Sequence, residues 1–118
     1  MINRTTQKGT IEISKDVFMT IVGDAATSCF GVKGMASRAK EGGMWQLLHR
    51  DSMSKGVNVV LSEDAASISL ELHIVVDHGV NLSALCDSIM SEVSYKVVSA
   101  TGIEVQDINI YIDSMTMD

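Results

Sequence analysis

Three residues near the middle of the chain carry metal-ligating chemistry: His73, Asp77 and His78. A catalytic zinc needs three protein ligands and further groups that orient them. His73 belongs to an alternating segment and should project from the sheet face opposite Ile68 and Val76. His78 sits in a turn, so the three would converge only if Asp77 reached back. No metal is therefore expected, and His73 is expected to be covered by, or hydrogen-bonded to, a neighbour. Cys29 and Cys86 are 57 positions apart and form neither a CxxC pair nor a metal quartet. Both fall in expected helices with nothing in the sequence to lower a thiol pKa, so they read as buried free thiols. Serines abound, but none sits in a nucleophile-elbow pattern. With no nucleophile, base and oxyanion donors to assemble, the chain is expected not to be an enzyme and to use no cofactor.

Gly31-Val32-Lys33-Gly34 has the glycines and the lysine of a phosphate loop, but these follow a helix and so face its negative end. They are expected to be a C-cap and turn. Gly42-Gly43 does precede a short helical stretch, Met44-Trp45-Gln46-Leu47-Leu48, yet Glu41 beside it would repel an anion. The charge of the whole segment 31–56 is more informative. It holds five of the nine basic residues, Lys33, Arg38, Lys40, Arg50 and Lys55, against Glu41 and Asp51, which leaves it at +3 on a chain of −6. Met35, Met44, Trp45, Leu47, Leu48 and Met53 add adaptable apolar surface. The expectation is a docking surface for an acidic or membrane-anchored protein, with Lys33, Arg38, Lys40, Trp45 and Arg50 as its contacts. The competing reading is a solvated connection in which Trp45, Leu47 and Leu48 fold onto the core as a short covering helix.

The elements that must position these groups follow from periodicity. Ile68, Leu70, Leu72, Ile74 and Val76 alternate with Ser67, Ser69, Glu71, His73 and Val75, which predicts a long half-buried strand. Val57, Val59 and Leu61 repeat the pattern upstream, and residues 63–66 are short and polar enough to close a hairpin. Asn81 offers a cap for a helix whose Leu82, Leu85, Ile89, Val93 and Val97 share one face and which Gly102 ends. Earlier, Thr10–Ile13 reads as a short strand. Ser14 opens a first helix with a stripe of Val17, Ile21 and Ala25, flanked by Phe18, Val22 and Cys29 and continuing to Phe30, and Gly31 stops it. After Gly102 the alternation changes phase at Gln106-Asp107, before Ile108, Ile110 and Ile112. Residues 1–8 should be loose, 31–56 an irregular excursion, and 114–118 a frayed tail.

A length of 118 residues suits one domain, 1–118. The order β-α-β-β-α-β implies an α+β two-layer sandwich, a mainly antiparallel four-stranded sheet with two helices on one face, of ferredoxin-like topology. Aromatics make up only 4% of the residues and the charge is negative, so nucleic acid is not an expected partner. No long apolar run is present, so direct membrane insertion is not expected and a cytoplasmic location is. The side chains on the outer face of the long strand lack lysine and the short flanking strands can be edges, which favours a homo-oligomer.

Four short motifs in order carry a family resemblance: Gly9-Thr10-Ile11-Glu12-Ile13-Ser14, Gly31-Val32-Lys33-Gly34-Met35, Val75-Val76-Asp77-His78-Gly79-Val80-Asn81-Leu82, and Thr101-Gly102-Ile103 with Val105 and Ile108-Asn109-Ile110. Over residues 9–113 the chain resembles the alkaline shock protein family, small general-stress proteins of Gram-positive bacteria. It departs from the family pattern at Ser83, where proline is frequent, and at His78, where an aromatic is common. The resemblance implies a role in envelope stress or homeostasis, association with the membrane through a separate anchor protein, and no catalytic residues. Gly31, Gly34 and Met35 enter as a family signature of unknown purpose. The function expected is that of a non-enzymatic interaction or scaffold protein. The alternative is a regulatory module that binds a small molecule as a dimer.

Overall fold

The structure is a computed structural model that describes residues 2–38, 45–47, 56–62 and 67–116. Its axis is β6 (Ser67–Asp77), in which Ile68, Leu70, Leu72, Ile74 and Val76 are all fully buried, as strict alternation requires. One edge of β6 is covered by β7 (Glu104–Thr116), which runs parallel to it along its whole length. The other edge is shared end to end: β5 (Val57–Leu61) pairs antiparallel with Ile68–Leu72, and β3 (Val32–Arg38) pairs antiparallel with Ile74–Val76. β3 and β5 thus act as one interrupted strand, and the excursion leaves the sheet at the interruption. Gly56 stands at that junction, where a side chain would meet Met35 Cβ at 2.8 Å and the His73 carbonyl at 3.2 Å.

Part of the excursion is strand. Ala36–Arg38 at the end of β3 pairs antiparallel with β4 (Trp45–Leu47), which corrects the expectation of helical turns for those three residues, while Met44 and Leu48 lie outside the described residues. The end of β3 leaves β6 with its backbone donors and acceptors unpaired. A ladder satisfies them, whereas a helix of five residues would hold itself together poorly.

Two helices, α1 (Lys15–Thr27) and α2 (Leu82–Thr101), pack on the inner face. α2 buries Leu85, Ile89, Val93 and Val97. The Asn81 side chain accepts the Ala84 N–H at 3.1 Å, and Gly102 adopts φ 76° and donates its N–H to the Val98 carbonyl. In α1 the buried face is rotated from the expected stripe: Phe18, Val22, Ala25 and Ala26 are inside and Val17 is exposed. Gly23, Ala25 and Ala26 are small, and burying them lets α1 lie close to its neighbours. The helix also stops at Thr27, before Gly31, where the Ser28 N–H donates to the Asp24 carbonyl at 3.1 Å.

Both termini are more regular than expected. β1 (Ile2–Thr6) pairs antiparallel with β2 (Gly9–Ile13), so residues 2–6 are not loose. Ile2 is fully buried, and the Thr6 hydroxyl bonds across the turn to the Gly9 carbonyl at 3.1 Å. β7 continues through Ser114–Thr116 because β6 extends to Asp77 and supplies partners that far. Two register shifts interrupt the β6–β7 ladder, leaving Gln106 and Asp113 without opposite residues. The first is the phase change visible in the sequence.

The architecture is the expected α+β sandwich, mainly antiparallel, with both helices against one sheet face, but its central sheet has five strands rather than four because β4 joins it through β3. Within that plan β2 stays out of the central sheet and forms a separate hairpin with β1.

Candidate functional site

Two of the motifs singled out in the sequence meet at one end of the sandwich. Past the last turn of α1 the chain runs through Ser28, Cys29 and Phe30 to Gly31, whose φ of 102° only glycine adopts without strain. The Gly31 carbonyl accepts the Asp77 N–H at 2.9 Å, and a Cβ on Gly31 would lie 2.9 Å from Val80 Cγ1. This lack of a side chain lets the turn at 77–81 close against the end of α1. Asn81 then starts α2, and the exposed flank of that helix, Ala84, Ser88, Glu92 and Lys96, completes the wall of an open cleft of about 950 Å³. Phe30 stands at its lip and is 97% exposed.

The cleft is lined by one thiol, two carboxylates, an imidazole and an amine: Cys29, Asp77, Glu92, His78 and Lys96. Cys29 is the nucleophile candidate within it, yet its thiol donates to the Ala25 carbonyl at 3.5 Å. Burial first, and the Glu92 carboxylate second, push its pKa above the ordinary value. A thiol held neutral is a poor nucleophile. Cys86 is raised in the same way, by burial and then by Asp87. Lys96 pairs with Glu92 at 3.7 Å, one helical turn away, and both are exposed enough for the pair to add little stability. Phe30 is different: no structural task holds a fully solvated phenyl ring in place, and covering such a ring contributes about 1.5–3 kcal/mol to an association.

His73, Asp77 and His78 do not come together. His73 lies on the outer sheet face, its Nδ1 2.8 Å from Asp113 Oδ2 and its ring stacked on Tyr111 with centroids 4.9 Å apart. Asp77 accepts a long bond from the Thr116 hydroxyl, and His78 lines the cleft, exposed. Asp113 reaches His73 because the second register shift frees it from the ladder. Among the docking candidates, Lys33 is exposed at the bulge just beyond Gly31, at the same end as Phe30. Arg38 and Trp45 are opposite one another in the β3–β4 ladder. Lys40 and Arg50 lie outside the described residues. Of the signature residues, Gly31 makes the close approach to Val80, Gly34 resumes the ladder opposite Val75, and Met35 is fully buried. Sequence reasoning missed Phe30 because it placed this residue on the apolar stripe of α1. The available signal was its position immediately before a glycine, outside the helix.

Comparisons with known proteins agree with these motifs. The sequence pattern of the alkaline shock protein 23 family, described by its cell envelope-related function, matches residues 3–117. The uncharacterized protein YloU of Bacillus subtilis (strain 168) is 30% identical over 97% of this chain and 94% of its own length. The uncharacterized protein Spy1614 of Streptococcus pyogenes serotype M6 is 37% identical over 93% of this chain and 90% of its own. Among solved structures, a MamM CTD variant superimposes with a TM-score of 0.56 at 12% identity, covering 86% of this chain and 98% of that one. A manganese form of MamM CTD gives 0.55 at 13% identity, covering 86% and 99%. These two likenesses place the chain among ferredoxin-like folds.

Proposed function

This chain belongs to the alkaline shock protein 23 family, and from that premise we propose that it is a non-enzymatic scaffold of the cell-envelope stress response, working in the cytoplasm by holding other proteins. The observation that carries the reading is Phe30, 97% exposed at the lip of a cleft whose walls are locked by Gly31 and Asn81. A rigid frame with a solvated aromatic on it suits the anchor of a protein interface. Lys33, exposed at the same end, supplies a cation for an acidic, membrane-anchored partner, and Arg38 and Trp45, at opposite positions of the β3–β4 ladder, are further candidates for its contacts. No helix of the described residues is long and apolar enough to cross a membrane, and in this reading the partner supplies the attachment to one.

A second reading has its own support. A cleft of about 950 Å³ is within the range that small ligands occupy, which keeps open a regulatory module acting as a dimer. The manganese of one MamM CTD form has no counterpart at His73, Asp77 and His78, which are held apart. Complementation separates the two readings. In cells lacking this protein, Phe30→Ser should fail to restore growth under alkaline and cell-wall stress while accumulating to normal levels. Full restoration by that variant removes the docking role, and a small molecule retained in native mass spectrometry favours the regulator.

A further inference from the structure

The β1–β2 hairpin is built as an arm. Every residue from Asn3 to Glu12 is exposed, on both faces of both strands, and only Ile2 and Ile13 at the base contact the core. Arg4 adds one more tie at the base, its guanidinium lying against Gly102 at the C-terminal end of α2, where a positive charge is favoured. A two-stranded hairpin with neither face covered is marginal in water, and this one also presents Ile11 at 45% exposure. The same chain holds a surface of matching kind. β7 is 13 residues long and its outer edge faces no strand among the described residues. It contains no proline and no lysine, two devices that ordinarily keep an edge from pairing. On its inner face Ile108, Ile110 and Ile112 touch the core but remain half-buried, so the apolar layer runs out at this edge.

We propose that the arm of one copy adds to the β7 edge of a second copy, with β2 as the new strand and Ile11 continuing the row formed by Ile108, Ile110 and Ile112. Pairing supplies β7 with partners for its free backbone groups and gives the arm a covered face. Charge favours the contact, since Arg4 and Lys8 outnumber Glu12 on the arm while β7 carries Glu104, Asp107 and Asp113 with no basic residue. It also explains why the motif at Gly9–Ser14 is strongly β-forming although β2 has no place in its own central sheet. This contact rests on the scaffold reading and specifies how its copies join.

Sedimentation equilibrium on the full chain, with hydrogen exchange on the same samples, tests it. The wild type should assemble at micromolar concentration, and the amides of residues 9–13 and 104–116 should gain protection together as it does. Ile11→Lys, at an exposed position, should leave the circular dichroism unchanged and weaken assembly by about tenfold or more. Assembly of Ile11→Lys at wild-type strength, with residues 9–13 exchanging freely in the assembled state, overturns the arm contact and leaves a scaffold joined elsewhere. A wild type that stays monomeric to about 1 mM overturns the arm contact and self-assembly together, and the docking surface at Phe30 is then judged by complementation alone.

Discussion

At the end of the sandwich where α1 stops and α2 starts, the chain reversals are pressed against each other. At the opposite end, where α1 starts and α2 stops, a hairpin leaves the core with only its base held. The first end is fixed by contacts that tolerate no added atom: Gly31 against Val80, the Asp77 N–H on the Gly31 carbonyl, and Asn81 capping α2. The second is fixed by Ile2, Ile13 and Arg4, beyond which Asn3–Glu12 are solvated. Both ends expose a large apolar residue, Phe30 at one and Ile11 at the other. The difference lies in what surrounds them. A rigid surround presents a preformed surface to a partner, so binding costs little ordering. An uncovered hairpin has to be ordered by whatever it pairs with, which suits strand addition by a like chain.

The largest effect that can break this comparison is at Gly31. Changing Gly31→Ala forces a side chain into positive φ and against Val80, and should cost about 1–3 kcal/mol, a drop of several degrees in Tm for a chain of this size. Thermal melts read it directly. If Gly31→Ala melts with the wild type, the cleft end is as compliant as the arm. Gly79→Ala is the internal control: φ is 87° but nothing lies within 4 Å of the added carbon, so only the backbone term, about 1 kcal/mol, remains. The next effect is at Asn81→Ala, which removes the acceptor of the Ala84 N–H and should cost about 1 kcal/mol, with Asn81→Asp restoring most of it. At the arm, Thr6→Ala deletes a solvated hydroxyl bond in the turn, and its cost should stay below about 0.5 kcal/mol.

The same contrast decides how much could be read from the chain. β6 and α2 were legible because each has one buried face and a clean period, and their caps, Asn81 and Gly102, are residues whose side chain or φ does one job. Position 106 was legible for a related reason, since a register shift displaces the apolar pattern by one residue. The arm was half legible: Thr10–Ile13 reads as a strand, whereas residues 2–6 were expected to be loose. Its ten exposed residues carry no burial pattern, and its pairing is specified by a turn and by the core contacts of Ile2 and Ile13. The end of α1 misled for the opposite reason: Cys29 and Phe30 extend an apolar spacing that the backbone abandons at Thr27. Trp45–Leu47 misled because its structure depends on the unpaired end of β3, which lies outside its own sequence. The cleft combines the two cases. The segments that form it, Gly31–Met35 and Val75–Leu82, were both noted as motifs, but their meeting depends on a distance in space between Gly31 and Val80.

The smallest effect concerns pH, and it falls at the cleft end. Cys29 lines the cleft and Cys86 lies in the first turns of α2, and in both burial comes first and a neighbouring carboxylate second in pushing the thiol above its ordinary value of 9.0. In the unfolded chain each thiol ionises near that ordinary value, whereas in the folded protein it keeps its proton to higher pH. Below the ordinary value both states are protonated and the contribution to stability is fully present. Above it the unfolded state binds fewer protons, so stability declines as pH rises from there through the folded-state value. The slope from one thiol stays below about 1.4 kcal/mol per pH unit. Tyrosines and lysines titrate in the same range, so the measurement is a difference: Tm from pH 8 to 11 for the wild type against Cys29→Ala combined with Cys86→Ala. The wild-type curve should fall more steeply, with the two diverging above about pH 9. Parallel curves would show that the thiols are solvated in the folded state, and the cleft end would then be looser than the contacts at Gly31 and Asn81 imply.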